Sequence, residues 1–230
     1  MEQVNDWMKE HVNSLIGDVL NQVFIGLYNS AASRTGQTQG KGLNGLRELC
    51  DTTRVWGTID STDFSWWEPG LYDATGYTIA QLEDPTSAYY ILKLIRTGAD
   101  NCTHGGSRPT HFITSRALFN LIEDTMISQK IYQKTQRADI GYEFIDHRGM
   151  EIVAEDPDFI PDYHGFFLNL KDRPNGPAIQ LVGREDSWFK LSDWIGIPNQ
   201  LAHVKHLVAQ CVLVCDQPRL FGMYSSLGAT

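Results

Sequence analysis

Apolar positions between residues 4 and 28 recur at steps of three and four: Met8, Val12, Leu15, Val19, Val23 and Leu27. Ile16, Leu20 and Phe24 widen that stripe, while Asp18, Asn21 and Gln22 mark the polar side. The spacing predicts an amphipathic helix. About 25 residues at 1.5 Å rise span about 37 Å, long for a compact domain of this size, so the helix reads as a rod on which other elements lie. Gly17 and Gly26 weaken it slightly. Residues 30–45, rich in Gly, Ser, Thr and Gln, form a loop by composition, and Leu43–Cys50 reads as a short helix. Residues 51–77 have no clean period. Trp56, Trp66, Trp67 and Tyr72 there suggest an irregular loop held by aromatic burial. Asp84-Pro85-Thr86-Ser87 reads as a helix start, with the helix running to about Cys102 and stopped by His104-Gly105-Gly106.

The pattern then shortens. Thr110–Thr114 predicts a strand, and Ser115 caps a helix over 116–128 that buries Leu118, Phe119, Leu121 and Ile122. Gly141–Ile145 and Met150–Ala154 flank Asp146-His147-Arg148-Gly149, a hairpin with glycine where positive φ is needed. Phe166–Leu170 and Ala178–Val182 are further strands around a turn at 173–176. Val204–Cys215 and Leu220–Leu227 alternate with period two around Asp216-Gln217-Pro218, which predicts a long terminal hairpin returning to the first helix. No internal repeat is visible.

Composition narrows the function. The chain has 230 residues, enough for one large domain or two small ones. Its 19 Lys and Arg against 28 Asp and Glu give a net charge of −9, which speaks against a phosphate-gripping surface. Apolar content of 42% and charged content of 20% are those of a globular chain. No apolar stretch reaches the roughly 18 residues of a membrane span. The polar, acidic first ten residues do not read as a secretory signal, and four cysteines read as free thiols of a reducing compartment.

Candidate chemistry is sparse. Gly40-Lys41-Gly42-Leu43-Asn44-Gly45 fits GxGxxG, but a polar loop precedes it where a dinucleotide site needs a strand. Cys211 and Cys215, with His203 and His206 upstream, suggest zinc. Four positions along a strand separate the two thiols by about 13 Å, so buried structural cysteines are expected instead. Cys102 and His104 are the one local nucleophile–base pair, with Asp100 nearby. Asn101-Cys102-Thr103 has the form of a glycosylation sequon, which counts for nothing without a secretory signal. Asp60 with Asp63, and Asp156 with Asp158, are carboxylate pairs whose turn-like setting favours local hydrogen bonding. The tryptophans at 66 and 67 are equally suited to a contact surface or to the loop's own core.

The order of several short motifs resembles that of tailed-bacteriophage major capsid proteins. Leu43-Asn44-Gly45-Leu46 follows the long helix and leads to Val55-Trp56-Gly57-Thr58-Ile59-Asp60 and the Trp-rich stretch. Arg108-Pro109-Thr110-His111-Phe112-Ile113-Thr114-Ser115 is similar to the family's strand ending in Thr-Ser ahead of a helix. Gly141–Phe144 with Arg148–Val153, then Asp156-Pro157, is similar to its paired strands. His164–Asn169 is similar to its FLN strand, and the end at Gly222-Met223 to its last strands. The resemblance spans about residues 5–227 and rests on the order of the motifs.

It implies an α+β phage capsid fold with a long spine helix, a peripheral-domain β-sheet and a mixed α/β axial domain. Residues 1–40 and 201–230 would form the peripheral domain and 41–200 the axial domain. The implied function is a non-enzymatic coat subunit that self-associates into hexamers and pentamers of an icosahedral head around double-stranded DNA. It would be assembled in the host cytoplasm and reside in the virion. Partners would be copies of itself, with scaffold, portal and decoration proteins. No cofactor, metal, membrane or sequence-specific nucleic acid contact is implied. Candidate interface residues are Trp7, His11, Trp66, Trp67, Trp188 and Trp194. The edges expected to carry contacts are the helix at 4–28, the loop at 57–77, a tip near 172–200 and the terminal hairpin. The N-terminal arm and extended β-hairpin that usually precede the spine helix have no counterpart, nor has the lysine that cross-links some members. A truncated, split or reduced member is therefore expected. The competing readings are a small Cys102/His104 hydrolase and a glycan- or host-recognition module built on Trp56, Trp66 and Trp67.

Overall fold

The computed structural model describes residues 2–29, 43–52, 55–56, 58–73, 77–128, 134–136, 143–173, 176–184, 188, 190–193, 195–196, 203–225 and 227, with side chains from Val12 onward except at 73, 128, 134–136, 143, 172–173, 176 and 203. In chain order the elements are α1 (Glu2–Tyr28), α2 (Leu46–Leu49), β1 (Val55–Trp56), β2 (Ile59–Asp60), β3 (Gly70–Asp73), α3 (Ile79–Glu83), α4 (Ile91–Asn101), β4 (His111–Ser115) and α5 (Arg116–Ser128). There follow β5 (Lys134–Gln136), β6 (Glu143–His147), β7 (Met150–Glu155), β8 (Gly165–Leu168), β9 (Asp172–Arg173), β10 (Gly176–Pro177), β11 (Ile179–Gly183), β12 (Lys190–Leu191) and β13 (Ile195–Gly196). The chain ends with β14 (His203–Val204), β15 (Leu207–Val208), β16 (Cys211–Cys215), a 3₁₀ turn at Pro218–Leu220 and β17 (Gly222–Ser225).

Seven strands form one mixed sheet in the order β3-β17-β8-β4-β7-β6-β5. Its central strands are apolar on both faces, as burial on both sides demands. Phe112, Phe167 and Tyr224 point to one face and pack with Ile91, Ile95, Leu118 and Ile122 of α4 and α5. Their neighbours Ile113, Phe166, Leu168 and Met223 point to the other and meet Tyr28, Leu46, Leu49, Leu213 and Cys215. One sheet thus separates two cores, with helices over one face and α2, the end of α1 and a β-ribbon over the other. Two glycines let aromatic rings sit against backbone. A Cβ at Gly98 would lie 2.5 Å from the Phe167 ring, and one at Gly165 would collide with Phe112.

Several expectations match at the level of elements. The long helix, the helix after Ser115 and the β6–β7 hairpin all form. Ser115 Oγ accepts the N–H groups of Leu118 (3.4 Å) and Tyr163 (2.9 Å), tying the start of α5 to the chain before β8. The hairpin has a two-residue loop, Arg148 and Gly149, with φ of +58° and +77°, and His147 is paired with Met150. Positive φ at both loop residues is the type I′ geometry that matches strand twist.

Two expectations are corrected. The helix assigned to Asp84 onward starts at Ile91. Asp84 instead folds a turn, its carboxylate accepting the N–H and hydroxyl of Thr86. A separate short helix, α3, begins at Thr78 with a capping box to Gln81. The terminal hairpin over 204–227 does not form. Residues 203–215 pair back on 179–196 as three antiparallel segments, β11–β16, β12–β15 and β13–β14. The 3₁₀ turn then carries β17 into the seven-stranded sheet, between β8 and β3. The reason is burial: Gly222, Met223 and Tyr224 are all buried, which a two-stranded ribbon cannot provide. So β17 belongs by pairing with strands from residues 70–168, not with the ribbon.

Candidate functional site

The described part of α1 is anchored only at its end. Between Val12 and Ile25 no side chain is fully buried, and Leu15, Leu20 and Phe24 are 38–45% exposed. Gly26 and Tyr28 are buried. Tyr28 donates its hydroxyl to Glu155 at 3.0 Å, and Phe24 meets Phe159 with ring centroids 5.7 Å apart. Gly45, capping α2, packs against the carbonyls of Gly26, Leu27 and Asn29, where any Cβ would collide. The helix packs on α2, and its Tyr28 shares a core cluster with Leu213 and Cys215 at the ribbon's base. The helix expected to lie along a terminal hairpin is instead a rod seated by its C-terminal turns.

The ribbon over residues 179–215 is the second such element. Ile179, Leu181, Leu213 and Cys215 face the core, whereas Val182, Val212 and Val214 are 41–51% exposed on its other side. Val182 and Val212 are direct cross-strand partners. Further out, Ile195 and Val208 are also exposed. Among the described residues β11 and β16 pair only with each other, which leaves an outer edge of each unpaired there. Between the first two ribbon segments one strand advances seven positions and the other three, from 183 to 190 against 208 to 211. Trp188 sits in that excess, 38% exposed, with its ring where a Cβ of Gly183 would be. Sequence reasoning missed the exposed valines. The signal was present in Cys211-Val212-Leu213-Val214-Cys215, apolar in both phases of a period-two strand.

The loop between β2 and β3 splits its two tryptophans. Trp66 is 56% exposed beside Phe64, while Trp67 is buried, edge-on to Trp66 at 5.5 Å. Trp67 Nε1 has no hydrogen-bond partner among the described residues. Trp56 is half-buried against the second core. Trp7 and His11 lie on α1, but their side chains fall outside the described ones, as does Trp194.

The chemical candidates do not assemble. Cys102 is buried and burial pushes its thiol up to about 12, while His104 is exposed, so the pair is not a nucleophile and its base. Cys211 and Cys215 lie on one strand as expected, and Cys215 is buried in the core. Asp60 accepts from the N–H and hydroxyl of Thr62, and Asp156 from the N–H of Asp158, both local turns. Residues 40–42 of the GxGxxG stretch fall outside the described residues, and its last glycine is the one seated on α1. Among the described residues no group of three or more His, Cys, Asp or Glu is placed to hold a metal, and no helix is long and apolar enough to cross a membrane.

With that architecture in view, the class of fold can be stated. The chain resembles the cyanophage A-1(L) capsid asymmetric unit, with a TM-score of 0.57 and 17% identity over 94% of this chain and 69% of the other. It is equally similar to the holo-SrpI encapsulin complex from Synechococcus elongatus PCC 7942, with a TM-score of 0.57 and 12% identity over 95% of this chain. It spans about two thirds of each of those chains, 65% for the encapsulin. No family profile matches the sequence, and no curated protein does. The fold is therefore the α+β capsid fold that the ordered motifs implied.

Proposed function

We propose that this chain is a shell-forming coat protein, the major capsid subunit of a phage head. The observation that carries the proposal is the fold's likeness to a phage capsid chain along nearly its whole length. The surfaces support it. A rod with exposed Leu15, Leu20 and Phe24 and a ribbon with exposed Val182, Val212 and Val214 leave apolar area uncovered on two elements of one subunit. Different patches that join copies head to tail close into rings, and repetition turns modest contacts into a stable shell. The ribbon's free edges add backbone groups for strand pairing between copies.

In this reading the seven-stranded sheet with α4 and α5 is the axial part, now including β17, and α1 with the ribbon is the peripheral part. Trp66 and Trp188 are contact residues, and Trp67 supports Trp66 from behind. The protein acts with copies of itself in hexamers and pentamers around double-stranded DNA, with portal, scaffold and decoration proteins as further partners, and resides in the virion. The test is electron microscopy of the concentrated, purified chain, alone and co-expressed with its genomic neighbours. Closed particles containing DNA are expected on co-expression. Closed particles that never contain nucleic acid would keep the shell and overturn the phage-head reading. A chain that stays monomeric under both conditions would overturn both.

A further inference from the structure

A cavity of about 60 Å³ lies where the C-terminal half of α4, the chain entering β4 and the β6–β7 turn meet. Ile95, Ala99, Pro109 and Met150 give it an apolar floor. Arg96, Arg108 and Arg148 add cationic residues to its lining, beside His147. Three arginines among the residues that line one small cavity stand out in a chain with net charge −9. One carboxylate pairs with one of them. Asp100 pairs with Arg108 at 3.2 Å, both side chains more than half exposed, and Asp146 Oδ1 accepts the N–H of Gly149 at 3.0 Å. Among the described residues Arg96 and Arg148 have no ion-pair partner.

The backbone adds a separate observation. Arg148 stands in the left-handed region, at the first loop position of a type I′ turn. Asparagine, aspartate or glycine usually takes that position, because other side chains are strained there. A strained arginine at the mouth of an arginine-lined cavity points to a use for the side chain.

We infer that this cavity is an oxyanion site that takes a phosphoryl group. Three forks from three elements match a tetrahedral anion with several oxygens better than a planar carboxylate with two. The space fits one such group in place of about two waters, at about 30 Å³ each. His147 reports occupancy. Asp146 and Arg148 on its own hairpin act on it, and Arg96 of α4 and Arg108 of the chain before β4 line the same cavity. Burial first, then Arg148, hold its pKa below the usual value, with Asp146 opposing. A bound anion favours the protonated ring, so phosphate binding moves the His147 titration upward.

The test titrates the full chain with inorganic phosphate at constant ionic strength. It follows the His147 ring resonance by NMR and the thermal midpoint. The expected result is an upward shift of the His147 titration and a higher midpoint. Arg96→Gln and Arg148→Gly should each weaken phosphate about tenfold. Arg148→Gly should also raise the midpoint of the ligand-free chain, an opposite sign that a merely structural arginine would not give. Chloride reproducing the effect at matched ionic strength, or both variants binding as tightly as the parent, would overturn the inference. Competition between phosphate and a short oligodeoxythymidylate would assign the group to a nucleic-acid backbone. Phosphate binding without competition would assign it to a free anion.

Discussion

Burial divides residues of the same type into different chemistries. Cys50 and Cys102 are fully enclosed and their thiols are held far from ionisation, by burial first in each case. Cys211 is only half-buried and its thiol is raised by the same cause. Alkylation of the folded protein at neutral pH should therefore label Cys211 first and reach Cys50 and Cys102 only after unfolding, as read by mass spectrometry. Rapid labelling of Cys102 in the native chain would revive a thiol enzyme. His147 is half-buried and His164 buried, and burial depresses both below 6.5. The unfolded chain then takes up protons that the folded chain refuses. Stability is complete above the unfolded pKa and declines as pH falls through 6.5 toward the lower folded values. The urea midpoint should drop between neutral pH and about pH 5, and His164→Gln should make that drop smaller. Adjacent Trp66 and Trp67 show where residue-level reading stops. The sequence placed both in an aromatic loop, but only packing decides that one faces solvent and the other does not.

Elements with a strong local signal were legible, and those needing a partner were not. The three-and-four spacing marks α1, and Arg148-Gly149 between alternating strands marks the β6–β7 hairpin, since both depend on neighbours in sequence. At α3 the capping pattern Thr78-x-x-Gln81 was the true start signal, and Asp84-Pro85 was a turn that resembled one. Strand partners are a different matter. Alternation over 204–227 predicted strands correctly but not whom they pair with, because a period of two is the same for a hairpin, a ribbon and a central strand. The seat of α1 is likewise tertiary. Gly45 meets the carbonyls of Gly26, Leu27 and Asn29, and backbone cannot step aside as a side chain can. Gly45→Ala should cost about 1–3 kcal/mol and loosen the helix end. Hydrogen exchange should speed up in the last turns of α1 while α4 stays protected. Unchanged protection at residues 22–28 would contradict this account of the anchor.

For the whole molecule, the exposed apolar faces are the feature that a lone subunit does not explain. Val182 and Val212 form a cross-strand pair on the outer side of the ribbon, away from both cores. Val182→Lys with Val212→Lys should leave the thermal midpoint within about 1 kcal/mol equivalent of the parent, because neither side chain is buried. The same double variant should abolish particles in electron microscopy while the chain stays folded and monomeric. Particles of normal size from this variant would remove the ribbon from the contact surface. Local periodicity, turn chemistry and the order of motifs determined much about this protein from sequence alone. They gave a long amino-terminal rod, a helix after Ser115, a type I′ hairpin, a mixed α/β body, and a class of fold. Those depend on interactions within a few residues of chain. Tertiary structure alone decided that the last strand enters the sheet between β3 and β8, that β11–β16, β12–β15 and β13–β14 form a ribbon with an exposed apolar side, and that three arginines line one cavity. Each brings together distant segments, and the sequence carries no distance between them until the two cores have formed.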